Sequence, residues 1–391
     1  MELIIKSLAI REWQYILRNK RLFLIMCVMP TVYILLFGYM YIDHTVNNIS
    51  TVVLDYSNTG ISRSIIQSFD DSDRFDVKGY VHSEEEIREA MGKREYVAAL
   101  ILPGDLEQNL KKGTSSEVLV VVNGSNMLFS NSVMSSANEI ISTISAGIST
   151  KMVGSKQGIS AEAAMGESLP LSFRTKIWYN PTFNYTNFLL LGLMATAIQQ
   201  MVFLYVAVSF CREKELNLFG SLLKEYKPYQ LVAGKIAAYL LINLLSANLV
   251  LSVCIFIYKI PFRGSLLALE LLYATFIIAI SGLGIFLSLI CKSELEATQL
   301  SMLVAVPSFL FSGFTWPSSS MHGIAKILNI ILPLTYLVND VRNIALLGIG
   351  LKDMYGSILV LMGMAAVFLP VSTWLIKKQA KNNSENKTGL I

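Results

Sequence analysis

The sequence predicts a polytopic α-helical membrane protein with six transmembrane helices, an inserted extracytoplasmic α/β domain, and re-entrant outer helices between spans 5 and 6. Three observations lead to this fold class. Hydrophobic residues make up 53% of the 391 residues and charged residues only 15%, whereas a soluble domain carries roughly 25% charged residues. Long uncharged stretches recur along the chain. One charged segment, 43–185, interrupts them.

The composition also excludes several classes of protein. Intrinsic disorder requires low hydrophobicity and high net charge, and nucleic-acid binding requires a basic stripe. A net charge of +4 with no such stripe fits neither. The four cysteines lie in or beside apolar stretches, and the three histidines stand far apart. We therefore expect no disulfide framework and no metal, cofactor or nucleic acid bound by this chain.

The N-terminal segment predicts a helix that lies on the cytoplasmic membrane surface, followed by a first span. Residues 1–21 are basic and contain a tryptophan, and Glu12 falls off their apolar face. That apolar face holds Ile5, Leu8, Ile16 and Leu17. Residues 22–42 are uncharged and long enough to span a bilayer. A signal peptide is the alternative, but its apolar stretch is usually only about 7–15 residues long.

Segment 43–185 predicts a compact α/β domain. Its short apolar stretches are rich in β-branched residues, which is typical of strands. We expect strands near 51, at 75–81, 96–103, 117–122 and 171–179. We expect helices at 60–69, 84–92, 105–112 and 127–156. Ser83 is a suitable N-cap for the second of these helices, because its hydroxyl can accept a backbone hydrogen bond from the first turn.

Segment 186–376 predicts transmembrane helices 2–6, followed by a cytoplasmic tail at 377–391. The apolar stretches lie at about 187–211, 231–258, 266–291, 297–316 and 355–376. Region 317–353 contains two shorter apolar stretches, Ile324–Leu337 and Ile344–Leu351. These are too short to span the membrane alone, so we expect them to be re-entrant and packed against protein.

The distribution of basic residues predicts that both termini are cytoplasmic. With the N-terminus inside, the inner segments carry fifteen Lys and Arg residues and the short outer loops carry five. Cytoplasmic loops normally carry this excess of positive charge. The long 43–185 domain would then lie outside.

The chain shows no energy source of its own. Carriers driven by ions need several ionisable groups at mid-membrane. Glu270 is the one clearly embedded charge in the spans, and a structural role for it is favoured over a functional one. The phosphate-binding pattern G-x-x-x-x-G-K-[ST] is absent. Helix packing and an interfacial lysine account for the nearest fragment, Gly234–Lys235. We therefore expect no catalytic residue in this chain.

Segment 212–230 is a candidate lever for a cytosolic partner. Alternating charges stand at the inner end of a span and are followed by an apolar set and more charges. A short helix here would show its charges to the cytosol, although an ordinary charged loop explains the pattern equally well. The candidate coupling residues are Arg212, Glu213, Lys214, Glu215, Leu216, Gly220, Leu222, Leu223 and Glu225.

Segment 312–350 contains small residues and prolines that break helices near the outer side. Broken helices at membrane depth often line a pathway, and a helical hairpin cap is the alternative. The candidate pathway residues are Ser312, Gly313, Phe314, Pro317, Met321, Pro333, Tyr336 and Arg342. Before the second span, aromatic residues predict an anchor at the outer interface. The candidates there are Tyr179, Asn180, Pro181 and Phe188.

These motifs, in this order, resemble the permease subunit of ABC exporters of the type-2 permease class, in the branch with a large extracytoplasmic domain after the first span. The matching inner residues are Arg212–Glu215, Leu222, Leu223, Pro228, Gly234 and Lys235. The matching outer residues are Ser312, Gly313, Pro317, Met321, Leu332, Pro333, Thr335, Tyr336, Arg342 and Ile344. The chain departs from the family pattern at Asn217-Leu218, at Lys227-Pro228 and at His322.

The resemblance implies a transporter subunit in a bacterial plasma membrane. Two copies of a cytosolic ABC ATPase would bind ATP and Mg²⁺, and a second permease, identical or a sister chain, would complete the complex. The substrates would be hydrophobic or amphipathic, as in multidrug or lipid export. The alternative is an ATPase-independent membrane scaffold or secretion-accessory protein with a large external domain.

Overall fold

A computed structural model of the chain describes residues 2–42, 46–93, 95–112, 114–125, 127–157, 179–180 and 184–388. The chain divides into two compact units. One unit comprises Met1–Ile42 together with Trp178–Ile391, and the other comprises Asp43–Ile177.

The N-terminal part of the first unit is a helix followed by a second, interrupted one. Helix α1 (Glu2–Arg18) ends before Asn19, whose side-chain oxygen accepts a hydrogen bond from the Leu22 backbone N–H at 3.4 Å. The chain then continues as α2 (Lys20–Phe23), a π-helical turn (Leu24–Val28) and α3 (Met29–Met40). The break at Asn19 separates the surface helix from the apolar one at nearly the predicted position.

The second unit is built on a four-stranded sheet. The strands are β1 (Ile49–Asp55), β2 (Phe75–Tyr80), β3 (Ala98–Leu102) and β4 (Leu119–Val122). The helices are α4 (Gly60–Asp70), α5 (Glu84–Gly92), α6 (Leu106–Lys112) and α7 (Met127–Gln157). The strand order is β2-β1-β3-β4, with β1 parallel to β2 and β3, and β4 antiparallel to β3.

Strand β1 is buried on both faces because helices cover both sides of the sheet. Val53 packs with Phe69 of α4 on one face, and Leu54 packs with Ile87 of α5 on the other. The side chain of Ser83 accepts a hydrogen bond from the Glu86 backbone N–H at 3.2 Å, as the N-cap prediction requires. Four predicted strands and four predicted helices of this segment are confirmed. The fifth predicted strand, at 171–179, lies outside the described residues except for Tyr179.

The remaining helices form the bulk of the first unit. They are α8 (Tyr185–Glu215), α9 (Phe219–Glu225), α10 (Pro228–Ser252) with a π-helical end (Val253–Ile257), α11 (Leu266–Ile290) and α12 (Glu294–Phe311). After a short 3₁₀ turn (Ser318–Ser320) come α13 (Ile324–Ile331), α14 (Leu334–Arg342) with a π-helical end (Asn343–Leu347), and α15 (Leu351–Thr388).

Helix α11 lies at the centre of this unit, between α8 and α15. Its large side chains Tyr273 and Phe276 are fully buried. The sequence of α11, which is apolar except for Glu270, explains this position, because a helix that is apolar on all sides is stable only when protein or lipid surrounds it. Helix α1 packs along α10.

Four described helices are long and apolar enough to cross a membrane: Tyr185–Glu215, Pro228–Ile257, Leu266–Ile290 and Leu351–Lys381. They correspond to predicted spans 2, 3, 4 and 6. The apolar part of predicted span 1, Leu24–Met40, is shorter than the roughly 20 residues that a bilayer requires. Helix α12 corresponds to predicted span 5, but it ends at Phe311 rather than 316 and begins with two glutamates. The count of six spans therefore stays a prediction.

Region 317–353 breaks at one of the prolines that the sequence analysis singled out. Its helices break at Leu332–Pro333, inside the apolar stretch Ile324–Leu337, because the proline ring cannot continue α13. Helices α13 and α14 meet there at 76°. The last helix continues through the predicted tail, since α15 extends to Thr388 without a break at 376.

Candidate functional site

The predicted coupling residues lie at the inner end of α8 and in the short helix that follows it. Arg212, Glu213, Lys214 and Glu215 form the last turn of α8. Asn217 then adopts a left-handed backbone conformation, with a φ of 57°, which ends the helix. Helix α9 begins only two residues later, so the connection between α8 and α9 is very short.

An ion cluster joins α1, α8 and α10 at this end of the unit. The ammonium nitrogen of Lys235 lies 2.9 Å from Oε1 of Glu213 and 2.9 Å from Oε1 of Glu12. Arg11 reaches Glu213 at 3.2 Å, and Arg212 approaches Glu12 at 3.6 Å. Lys235, Glu12 and Glu213 are at most 3% exposed. We call these five side chains the inner ion cluster.

Burial and charge act in opposite directions on Glu12. Burial acts to raise the pKa of its carboxyl group, but the positive charges of Lys235, Arg212 and Arg11 outweigh burial and lower the pKa to about 2. Glu12 is therefore ionised at neutral pH. Removing one partner of such a buried pair typically costs about 3–5 kcal/mol, because a charge is left without compensation.

Aromatic rings surround the cluster. The guanidinium carbon of Arg212 lies 3.9 Å from the centroid of the Tyr15 ring, and the Lys235 ammonium lies 4.8 Å from that of Phe210. The rings of Tyr205 and Tyr239 pack edge to face with centroids 5.3 Å apart. These rings hold the cations by cation–π attraction and restrict access of water to the ion pairs.

The other two charges of the α8 turn contact the connection between α11 and α12. The Lys214 ammonium donates to the Leu289 carbonyl at 2.9 Å, which satisfies a free carbonyl at the C-terminal end of α11. The backbone N–H of Glu294 donates to Glu215 at 2.9 Å. The inner end of α8 is thus attached to four other helices: α1, α10, α11 and α12.

Helix α9 presents two faces. Phe219 and Leu222 are buried, and the Phe219 ring packs edge to face on Phe210 with centroids 5.9 Å apart. Gly220 and Glu225 are exposed, and Leu223 is half-buried. Leu216, before the helix, is 55% exposed. Helix α9 and the residue before it therefore have an exposed surface that is partly apolar and partly charged.

The predicted pathway residues follow the end of α12. Ser312 and Phe314 are buried, and Gly313 between them has a φ of +83°, a conformation that favours glycine. The Phe314 ring stacks on Phe188 of α8 with centroids 5.0 Å apart. The guanidinium carbon of Arg342 of α14 lies 4.9 Å from the centroid of the same Phe314 ring.

Two asparagines attach the bent helix pair to the broken end of α12. Asn329 donates to the Phe311 carbonyl at 2.7 Å, and Asn339 donates to the Ser312 carbonyl at 2.9 Å. These carbonyls belong to the last turn of α12, where no helical N–H follows to satisfy them. The Tyr336 hydroxyl donates to the Ile330 carbonyl at 2.8 Å across the Pro333 break. Pro317 precedes the short 3₁₀ turn, and Met321 after it is buried.

The predicted outer-interface residues surround the start of α8. The Asn180 side chain accepts a hydrogen bond from the Asn184 N–H at 3.1 Å, and Asn184 caps α8 by accepting from the Asn187 N–H at 3.2 Å. The Tyr179 ring lies 5.9 Å from the guanidinium carbon of Arg263. Pro181 lies outside the described residues.

Comparison with known proteins decides the class of this molecule. The model of the family described as ABC-2 family transporter protein matches residues 20–374. The chain belongs to the ABC-2 transporter family. The Escherichia coli K12 protein named "Probable multidrug ABC transporter permease YbhS" is 22% identical to it over 386 residues, 96% of this chain and 97% of that protein.

Other relatives carry similar names. "Probable multidrug ABC transporter permease YbhR" from the same strain is 24% identical over 358 residues, covering 90% of this chain and 92% of its own length. "ABC transporter G family member 20" from Dictyostelium discoideum is 26% identical over 212 residues, 53% of this chain and 29% of that protein. The chain is thus a multi-pass membrane permease of the ABC-2 family and a transporter component rather than an enzyme.

The structure of this ABC-2 permease corrects the interpretation of its inner charges. Arg212 and Glu213 do not face the cytosol as predicted, because their partners on α1 and α10 enclose them. Glu12 was placed off the packing face, yet it lies between Leu8 and Ile16 in the buried stripe of α1. Leu17, placed on that face, is 57% exposed.

Sequence reasoning did not assign three members of the inner ion cluster to the coupling site: Arg11, Glu12 and Lys235. The spacing of Leu8, Glu12 and Ile16, four residues apart, was the available signal, because such residues share one helix face. Lys235 is 2% exposed and pairs with carboxylates, so it is not an interfacial lysine. The neighbouring Gly234 does serve helix packing, since a Cβ there would lie 2.6 Å from the Cβ of Leu8.

Two further acidic residues lie among the apolar helices of the ABC-2 permease. Glu270 of α11 is half-buried. Asp340 of α14 is 9% exposed, and sequence reasoning did not single it out. Among the described residues, no group of three His, Cys, Asp or Glu side chains has an arrangement that could hold a metal ion.

Proposed function

We propose that this ABC-2 permease is the translocation-pathway subunit of an ATP-driven exporter that moves hydrophobic or amphipathic molecules out of the cell. The names of YbhS and YbhR, which describe multidrug permeases, support this substrate class over nearly the whole chain length. A drug, a lipid or a peptide-like molecule would suit an apolar bundle of this kind.

A separate ATPase supplies the energy in this proposal. The complex contains two copies of a cytosolic ABC ATPase, which bind ATP and Mg²⁺, and a second permease that is identical or a sister chain. The supporting features are the absence of a phosphate-binding motif in the sequence and the exposed surface of α9. The complex resides in a bacterial inner membrane, as the E. coli relative named "Inner membrane transport permease YhhJ" suggests.

The proposed topology has six spans with both termini in the cytoplasm. Helices α2–α3 and α12 then form spans 1 and 5, and α13–α14 form a re-entrant pair on the outer side. The unit at 43–177 lies outside the cell. The excess of Lys and Arg in the inner segments supports this orientation.

The observation that carries the proposal is the inner ion cluster beside α9. A push on the exposed face of α9 reaches α8 through Asn217, and from there reaches α1 and α10 through Lys235 and Glu12. Because the three helices are joined by short, buried ion pairs, they move together as a rigid group. Such a group can take two positions, and ATP binding to the partner favours one of them.

A co-purification and transport assay tests the proposal. The chain is expressed with a candidate ABC ATPase from the same genome, purified as a complex and placed in vesicles. We expect lipophilic compounds to stimulate ATP hydrolysis and to accumulate on the opposite side of the membrane. Full transport activity in vesicles that lack the ATPase would overturn the proposal.

The docking surface is tested by substitution. The double variant Leu216→Asp/Gly220→Asp places two charges on the exposed surface before and within α9. We expect it to lose the ATPase on purification while the permease still folds. Lys377→Asp is the control, because Lys377 is also exposed but belongs to α15 rather than to α9 or the connection before it. Loss of the ATPase in both variants, or in neither, contradicts docking at α9.

A further inference from the structure

Helix α1 carries three distinct stripes of side chains. Leu8, Glu12 and Ile16 form the buried stripe against α10. An apolar stripe remains uncovered by protein: Leu3, Ile10 and Leu17, spaced seven residues apart, are 82%, 45% and 57% exposed. A third, polar stripe contains Arg11, Gln14, Tyr15 and Arg18. At about 100° of rotation per residue, the polar stripe lies between the other two on one side of the helix.

The polar stripe opens into a cleft of about 670 Å³ at the break between α1 and α2. Its lining residues are Arg11, Gln14, Tyr15, Arg18, Asn19 and Lys20. Three of these residues are cations and none is an acid. Arg11 shares its charge with Glu213 and Glu12, whereas Arg18 and Lys20 form no ion pair with any described residue. The cleft is therefore a site of concentrated positive charge.

We propose that this cleft binds the phosphate headgroup of an anionic phospholipid from the cytoplasmic leaflet. Guanidinium groups bind phosphate oxygens with two parallel hydrogen bonds, and the Lys20 ammonium adds a point charge. Asn19 and Gln14 supply amide donors for the remaining oxygens. The inference rests on the cytoplasmic placement of α1 in the proposed function.

A lipid fits the cleft better than a free phosphate ion because apolar surface adjoins it. Beyond the break, the apolar side chains of Phe23 and Leu24 are also uncovered, at 40% and 49% exposed. Acyl chains can cover this surface while the headgroup occupies the cleft. An amphipathic helix with basic residues beside its apolar face lies at this depth in a bilayer.

A headgroup bound in the cleft would act on the inner ion cluster through residues that line the cleft and also contact the cluster. Arg11 lines the cleft and also contacts Glu213 at 3.2 Å. Tyr15 lines the cleft and also stacks on Arg212. A bound headgroup therefore holds α1 in the position from which it pairs with α8 and α10. The lipid is a positioning ligand rather than a transported one.

Lipid binding is tested on the full-length permease alone, so that the outcome does not depend on any ATPase. The purified chain in detergent is titrated with phosphatidylglycerol or phosphatidylcholine, and native mass spectrometry counts the bound lipids. We expect phosphatidylglycerol to bind at least tenfold more tightly. The double variant Arg18→Gln/Lys20→Gln should lose on the order of tenfold in phosphatidylglycerol affinity and nothing in phosphatidylcholine affinity.

The control variant removes two equivalent charges elsewhere on the inner side. Lys6→Gln/Lys224→Gln changes exposed lysines that do not line the cleft, and we expect its affinity to stay within twofold of the unmodified chain. Equal losses in both variants would show general charge attraction and overturn the inference. Displacement of phosphatidylglycerol by millimolar glycerol phosphate would show a free-phosphate site and would also overturn it. Thermal unfolding of each variant confirms that its fold is intact.

Discussion

Lys235 holds the inner ion cluster together, because both buried carboxylates contact its ammonium group at 2.9 Å. Lys235→Met keeps most of the side-chain volume but leaves Glu12 and Glu213 without this partner. We expect a loss of about 3–5 kcal/mol in the free energy of unfolding. The measurement is the apparent melting temperature of the purified chain in detergent.

The exposed residue Lys224 supplies the control for this change. Lys224→Met should alter the free energy of unfolding by less than about 0.5 kcal/mol, as surface substitutions usually do. Adding Glu12→Gln and Glu213→Gln to Lys235→Met should recover part of the loss, because no buried carboxylate is then left unpaired. A Lys235→Met variant that melts at the same temperature as the unmodified chain would contradict the stabilising role of the cluster.

Glu12 makes the stability of the permease sensitive to acid. Its pKa is lowered from 4.5 to about 2 in the folded chain, so its carboxylate stabilises the fold above pH 4.5 and loses this contribution as the pH falls towards 2. We expect the melting temperature of Glu12→Gln to be lower than that of the unmodified chain. Above about pH 5.5 this margin should be constant. That margin should narrow below pH 4.5.

The exposed carboxylate of Glu225 is the matched control for the pH series. Glu225→Gln should change the free energy of unfolding by less than about 0.5 kcal/mol, as substitutions of exposed residues usually do. A margin for Glu12→Gln that stays constant down to pH 3 would show that Glu12 does not carry the acid sensitivity.

Single residues of the cluster were hard to predict for a physical reason. Periodicity identifies apolar side chains that pack, but it assigns charged side chains to solvent by default. Glu12 and Lys235 are 223 residues apart, so only the folded arrangement of α1 and α10 shows that each satisfies the other. By contrast, Ser83 was predictable because its role as an N-cap depends on neighbouring residues alone.

At the scale of elements, the close approach of α1 to α10 depends on Gly234. A Cβ at this position would lie 2.6 Å from the Cβ of Leu8, too close for real atoms, so Gly234→Ala forces the two helices apart. We expect a loss of about 1–3 kcal/mol in the free energy of unfolding. Thermal unfolding in detergent measures the change.

The same substitution at Gly220 of α9 should not destabilise the chain. Nothing lies within 4 Å of a Cβ built there, and alanine is favoured over glycine inside a helix by roughly 0.5–1 kcal/mol. Gly220→Ala should therefore leave stability unchanged or raise it slightly. If both glycine variants are equally destabilised, the close approach at Gly234 is not the cause.

The elements that the sequence predicted well are those set by local pattern. β-Branched residues predicted β1 and a short apolar stretch predicted β3, and the apolar side chains of both strands are buried. Pro333 was a usable signal in region 317–353, because a proline ends a helix, and α13 and α14 meet at this residue. Hydropathy cannot show that Asn329 and Asn339 complete the broken end of α12, since those hydrogen bonds connect separate elements.

At the scale of the whole molecule, the proposed function requires one orientation in the membrane. The α9 surface must face the cytosol for an ATPase to reach it, and the unit at 43–177 must then lie outside. The excess of basic residues in the segments around α1, α9 and α15 favours this orientation. The reverse orientation would place the inner ion cluster and the proposed lipid site on the wrong side of the bilayer.

Cysteine labelling tests this orientation with two exposed positions. Glu85 lies in α5 of the α/β unit and Glu225 lies in α9, and both side chains are exposed. In spheroplasts, a membrane-impermeant maleimide should label Glu85→Cys at once, but should label Glu225→Cys only after the membrane is permeabilised. The unmodified chain sets the background, which should be low because Cys211, Cys254 and Cys291 are buried and Cys27 is half-buried. Labelling of Glu225→Cys in sealed spheroplasts, with Glu85→Cys protected, would reverse the topology and exclude α9 as the docking site of a cytosolic ATPase.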